Sequence, residues 1–332
     1  MQQDDFFVCD IFDAVPKGDM ASMEHPVFSI STKPDRRIRR YENGSNFIEI
    51  TPSVRGLATV HDRDVLIFCI SQIMAALNRG EAVSQTIRFR AFEMLSATNR
   101  PTGGEAYQRL RDTLERLSGT RITTNITTGP KDARIEVTSG FGLIESWEIL
   151  RRAPGSGRGA GRMVSVAVTL SEWLFRAVQA RSVLTLSRDY FRLRKPLERR
   201  IYELARKHCG HQPAWRVSVE VLHKKSGSAS PRRVFRAMLR EMIASDHLPG
   251  YRLEEEPGDI LCVRPRRRDT AGAGGPVLSA ATLEEARARA PGWDVHGLEA
   301  EWRAWWEDTG RPRLRAPDRA FLGWLTKRLR DA

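Results

Sequence analysis

The sequence is poor in the residues that staple, span or catalyse. Its four cysteines, Cys9, Cys69, Cys209 and Cys262, stand far apart along 332 residues and form no pairable framework. A reduced, cytoplasmic protein is therefore expected. No apolar run approaches the roughly 20 residues of a membrane span, so no membrane association is expected. Residues 1–30 hold acids and no basic stretch ahead of an apolar core, so no secretory signal is read there. His208-Cys209-Gly210-His211 has no second Cys/His pair at finger spacing and reads as a helix C-terminus, so no metal is expected. The run Gly155-Ser-Gly-Arg-Gly-Ala-Gly161 lacks the Lys-Ser/Thr of a phosphate-binding loop and leads into a strand, so no nucleotide or other cofactor is expected. No His-hydrophobic-His pair stands beside a tyrosine, as a nicking enzyme needs; Tyr107, Tyr190 and Tyr202 fall on apolar helix faces. No nucleophile, base and oxyanion site come together, so no catalytic residue is assigned and the chain is read as not an enzyme.

Positive charge is what the sequence has in excess. Lysine and arginine number 54 against 41 acids, a formal charge of +13. That sign suits a polyanion, and nucleic acid is the usual one. The excess is clustered: Arg36–Arg40 reads RRIRR, Arg151–Arg162 carries arginines without acids, and Arg264–Arg268 reads RPRRR.

Two segments then repeat one pattern. Thr102–Ser118 has Tyr107, Leu110, Leu114 and Leu117 at three- and four-residue steps, with Gln108, Arg109, Arg111, Asp112 and Arg116 outward and Gly119 closing the helix. Ser230–Ser245 has Phe235, Leu239, Met242 and Ile243 inward and Arg232, Arg233, Arg236 and Arg240 outward. It opens with Ser230 as N-cap and Pro231 at the first helical position. Each follows a shorter apolar segment and precedes β-prone stretches. Helix, turn, basic helix and hairpin is the grammar of a winged-helix DNA-binding unit.

Around them, Phe28–Ser31, Phe47–Ile50, Thr86–Phe89, Arg121–Thr128, Arg134–Thr138, Leu143–Leu150 and Val164–Val168 alternate like strands. Asp62 starts a helix, apolar nearly all round, that ends at Asn78-Arg-Gly80. Phe92–Leu95, a Ser171-capped segment, Asp189–Arg194 and Leu197–His208 read as helices. Val217–Lys225 is one short segment with a Lys224-Lys225 tip, and Tyr251–Val263 reads as a hairpin. The expected domains are 1–168, an N-terminal arm with the first winged helix; 169–266, the second; 267–281, a linker; and 282–332, a small helical domain. The fold class is α+β. That last domain holds five of the eight tryptophans, which read by default as core of a small helical domain. Trp302, Trp305 and Trp306 are also candidates for binding a partner protein, since the adjacent Trp305 and Trp306 cannot share one narrow buried stripe.

An α-helix fits the major groove, where arginine pairs bidentately with guanine. Arg109, Arg232, Arg233 and Arg236 are therefore the base-edge candidates, with Gln108, Arg111, Ser230 and Arg240 on the same faces. Lys224, Lys225, Arg158 and Arg162 are phosphate candidates, which add affinity without sequence information. The bland alternative is that any surface helix carries arginines. It weighs more on Thr102–Ser118, whose arginines alternate with Glu105, Asp112 and Glu115, so the second helix is the stronger reader.

Several long runs resemble a known family. Glu24–Ser29, Arg37–Tyr41, Thr51–Ala58 and Asp64–Gln72, with Leu184–Tyr202 and Lys224–Ser228, look like the plasmid replication initiator protein A family, from about Phe6 to Val263. The resemblance implies tandem winged-helix domains that bind repeated double-stranded sequences at a plasmid origin. It also implies help in opening the duplex and in recruiting host initiation and helicase-loading proteins, and it leaves self-association into a homodimer open. The tail, with Ala290–Asp294 and Pro317–Gly323, resembles a module of several bacterial and phage replication proteins. The alternative function is a transcriptional repressor using the same helices.

Overall fold

The computed structural model describes residues 8–10, 26–125, 138–151, 163–179, 184–209, 212–266, 278–290, 295–310 and 316–330, with residues 276, 293 and 314. The chain begins with β1 (Val8–Asp10), β2 (Arg39–Asn43), β3 (Asn46–Thr51) and α1 (Arg63–Asn78). β4 (Thr86–Phe89), α2 (Ala91–Ala97), α3 (Gly104–Gly119), β5 (Arg121–Thr124), β6 (Ser139–Gly142), β7 (Ile144–Arg151), β8 (Met163–Leu170) and α4 (Glu172–Gln179) follow. Next come β9 (Leu184–Leu186), a 3-10 turn (Arg188–Arg192), α5 (Pro196–Cys209), β10 (Trp215–Ser218), α6 (Val219–Ser226), α7 (Arg232–Ser245), β11 (Tyr251–Glu256) and β12 (Ile260–Pro265). Helices α8 (Ala280–Arg289), α9 (Val295–Asp308) and α10 (Pro317–Arg330) close the described chain.

One order of elements occurs twice. The series α1, β4, α2, α3, β7, β8 is repeated as α5, β10, α6, α7, β11, β12. The sheets repeat as well, in the orders β4-β8-β7 and β10-β12-β11, with every pairing antiparallel. The first copy carries β5 and β6 as an insertion, which joins β2 and β3 in the sheet β2-β3-β5-β6. The architecture is mixed α/β with antiparallel sheets.

The all-round apolar character of α1 has a structural reason. Val65, Leu66, Ile70 and Ile73 enter the first core, while Ile67 enters the second. A helix that faces two cores has no solvent stripe. Asp62 precedes it without a side-chain cap; its carboxylate instead accepts from Thr59, from Thr113 Oγ1 at 2.7 Å and from Arg116.

Beside α1 the two copies meet through buried charges. Asp64, fully buried, accepts from Arg199 Nη1 at 2.5 Å and from Arg100 Nη2 at 2.8 Å. Glu203, equally buried, pairs with Arg63 at 2.6 Å and Arg200 at 3.5 Å and accepts from the Tyr190 hydroxyl at 2.7 Å. Burial, with the Arg199 and Arg100 guanidiniums nearby, holds His61 down at about 4.

Several sequence expectations are corrected here. Phe28–Ser31 is not a strand: only Ser29 bridges, parallel to Thr59. The second unit does not begin at residue 169, because Leu170 and, on α4, Leu174 and Val178 pack in the first core. Val217–Lys225 divides into a strand and a helix at Ser218, whose Oγ accepts from the Val221 N–H at 3.2 Å and caps α6. Gly119 does not end α3 through a left-handed backbone; a Cβ there would lie 2.5 Å from the Ser53 Cβ, so close approach demands the glycine. Arg134–Thr138 lies outside the described residues except for Thr138.

The third core is separate. Trp302 packs edge-on against Phe321 at 5.4 Å between ring centroids, with Ala286, Leu298 and Leu325 around them.

Candidate nucleic-acid interface

Gly227 ends α6 in the left-handed region, at φ +70°, and its carbonyl accepts from Arg39 Nη1 at 3.2 Å. A Cβ on Gly227 would lie 2.4 Å from Pro26 Cγ, so both conformation and packing require glycine at this turn. Arg39 is held in turn by Asp35, whose carboxyl the Arg37 and Arg39 guanidiniums depress well below the usual range. Part of the basic RRIRR cluster is thus an internal brace. The chain then reaches α7, whose first helical residue is Arg232 and not Pro231. Pro231, not Ser230, is the N-cap, with no side-chain capping bond. Ser230 is spent on the turn: its carbonyl bonds His223 Nε2 at 2.8 Å and its N–H donates to Ser228 Oγ at 3.3 Å.

Phe235, Leu239 and Met242 bury the inner face of α7, as the spacing requires. The outward arginines sit in a setting the helix sequence alone does not reveal. Arg232, Arg236 and Arg240 form one row at four-residue steps, and each meets a carboxylate from another element. Arg232 lies 3.5 Å from Glu220 of α6. Arg236 donates from Nε and Nη2 to the two carboxylate oxygens of Asp259 at 2.9 and 2.6 Å. Arg240 does the same to Glu255, at 2.9 Å for both bonds. The guanidiniums of Arg236 and Arg240 hold their carboxyl partners below the usual range. Arg233 is exposed and, among the described residues, has no carboxylate partner. Lys224 is exposed at the end of α6, 3.3 Å from Glu220. Lys225 is half-buried, and its carbonyl accepts from Arg200 at 2.9 Å.

The acids opposite α7 are residues of this face that helix spacing alone does not single out. A signal existed: on β11, Glu255 shares the parity of the buried Tyr251 and Leu253, so it projects to the helix side. Glu254 and Glu256 project to the other face and pair with Arg264 at 3.2 Å and Arg216 at 2.8 Å. Asp259 sits in the hairpin turn at φ +61°, and its carbonyl accepts from the Val219 N–H at 2.8 Å. The turn is thereby tied to the start of α6.

On α3 the charges are neutralised within the first unit. Arg109 pairs with Glu105 at 2.5 Å and Arg111 with Glu115 at 3.2 Å, both at i,i+4 spacing, and Gln108 is exposed. Arg116 does not point freely to solvent; both ends of its fork bond Asp62 at 2.7 Å. Arg158 and Arg162 lie outside the described residues.

The tryptophan cluster is mostly core. Trp302 is fully buried and Trp306 is 6% exposed, so neither is a surface anchor; Trp305 is 46% exposed and is the one that faces outward. Among the described residues, no helix is long and apolar enough to cross a membrane.

The chain is similar to known proteins over most of its length. The replication initiator protein A family matches residues 17–253. A protein of Wigglesworthia glossinidia brevipalpis, described as "Putative replication protein", is 37% identical over 238 residues, which is 71% of this chain and 84% of that protein. Two crystal structures of domains 2 and 3 of RctB superpose with TM-scores of 0.51 and 0.53, each covering 74% of this chain and 96% of the other. Their 14% and 15% identity makes this a likeness of fold. With the family match covering the first copy of the repeated unit and the second as far as β11, the chain belongs to the replication initiator protein A family.

Proposed function

We propose that this protein initiates plasmid replication by binding repeated double-stranded sequences at an origin, each copy of the repeated unit acting as a winged helix. The observation that carries the reading is the doubled series of helix, strand, two helices and hairpin, with an arginine-bearing second helix in each copy. In that arrangement α3 and α7 lie in successive major grooves, and Arg233, Arg236 and Arg240 face base edges. Lys224 meets phosphate, and the net charge of +13 draws the chain to DNA. The protein acts in the cytoplasm without a catalytic step of its own, and the α8–α10 unit offers Trp305 to host initiation or helicase-loading proteins.

Tiled duplexes from the DNA flanking the gene, probed by footprinting, test this. Protection of repeated sites, at affinities on the order of a thousandfold or more above random DNA, is expected. Equal affinity for every tile overturns it.

A further inference from the structure

We infer that Asp259 and Glu255 are positioning residues for sequence reading, which lock the guanidiniums of Arg236 and Arg240 so that each presents one fixed pair of donors to a guanine. The inference rests on the DNA-binding function proposed above and names the residues that give it selectivity.

The chemistry follows from the donor count. A guanidinium carries five N–H donors in a rigid plane. In both pairs the carboxylate takes the Nε–H and one Nη2–H. Both Nη1–H groups and the second Nη2–H remain, on the end of the fork away from the acid. An end-on pair from Nη1 and Nη2 is what guanine O6 and N7 accept. An unbraced arginine samples many rotamers and adapts to phosphates and to the wrong base; a braced one has lost that freedom before binding.

The braces are themselves anchored. The Asp259 main chain is fastened to α6 through Val219, and Glu255 lies within the β11–β12 ladder, opposite Leu261. The acids also place negative charge beside the groove. They therefore disfavour indiscriminate phosphate binding, and selectivity gains while raw affinity does not. On α3 the acids lie on the same helix as their arginines, and Glu115 divides its carboxylate between Arg111 and Arg55, so among the described residues neither arginine there has an acid from the wing to hold it.

The test uses the full chain and a library of random duplexes, with preferred sites enriched and sequenced. Asp259→Gly removes the carboxylate at a positive φ that glycine accepts, and Asp259→Asn keeps an acceptor without the charge. Thermal melting confirms that both remain folded. Arg236→Ala identifies the guanine position that Arg236 reads. Asp259→Gly is expected to broaden that same position, with about a tenfold fall in the ratio of specific to random-duplex affinity. Asp259→Asn should fall between it and the parent. Binding to random duplexes should rise for both, because a negative charge is gone. Should the parent enrich no sequence at all, the DNA-reading function fails and this inference falls with it. Should Arg236→Ala abolish a guanine preference that Asp259→Gly leaves sharp, the function stands and the positioning role is overturned. That role is equally overturned if Arg236→Ala changes no position, or if Asp259→Gly raises specific and random affinity equally.

Discussion

Asp64 offers the sharpest energetic test of how the two copies are joined. Its carboxylate is fully buried and accepts charge-assisted bonds from Arg199 at 2.5 Å and from Arg100 at 2.8 and 3.2 Å. Asp64→Ala leaves Arg199, itself 3% exposed in its side chain, facing a low-dielectric gap. Removing one partner of a buried pair costs about 3–5 kcal/mol. Arg199 keeps the Leu193 carbonyl at 2.8 Å and the Tyr190 ring at 4.9 Å, which places the expected loss near the middle, at about 4 kcal/mol. With a urea m-value of about 2–3 kcal/mol per molar, the midpoint should move down by roughly 1.3–2 M. Asp64 stands on α1 and Arg199 on α5, so the variant should also separate the unfolding of the two copies, which in the parent is expected to be a single shared transition. The double change Asp64→Leu with Arg199→Met removes both charges and should recover at least half of the loss. Circular dichroism and tryptophan fluorescence, followed together in urea, read both effects. A midpoint shift under about 0.5 M, or a double variant no more stable than the weaker single one, would refute the claim that this ion cluster couples the copies.

Further outcomes follow from other sites. His61 has a folded-state pKa of about 4 against an ordinary 6.5; the unfolded chain thus binds the proton first, and stability present above pH 6.5 is lost as pH falls toward 4. The loss should be on the order of 2–3 kcal/mol, and His61→Gln should flatten that stretch of a stability-versus-pH curve. Gly227→Ala forces a left-handed alanine against Pro26 and should cost more than about 2 kcal/mol, seen as a lowered melting temperature. Arg233→Ala should weaken the preferred site about ten- to a hundredfold and random DNA far less, by the loss of one positive charge. Lys224→Ala should weaken all sequences and reduce the salt slope by roughly one. In the last unit, Trp302→Ala should cost about 3–5 kcal/mol of that unit's stability. Trp305→Ala should leave its helicity intact and lower plasmid maintenance in the host, a result that a maintained plasmid would contradict.

Local chemistry was legible in the residues themselves. The three- and four-residue apolar steps of Thr102–Ser118 and Ser230–Ser245 are realised in α3 and α7, because a helix buries whichever face its side chains make apolar. The strand Thr86–Phe89 and the hairpin beginning at Tyr251 likewise follow from alternation. Composition announced an excess of positive charge, and the family resemblance announced replication. What a one-dimensional pattern could not carry is which charges meet. Arg236 and Asp259 are 23 residues apart, Arg116 and Asp62 are 54 apart, and Arg199 and Asp64 are 135 apart. Spacing along a helix tells whether an arginine points outward, but only tertiary packing tells whether an acid waits there. For that reason the sequence by itself determined the two basic helices and their inner faces. Only the tertiary structure decided that Arg116 and Arg199 are structural, that Trp302 is core, and that the arginines of α7 stand braced against a hairpin.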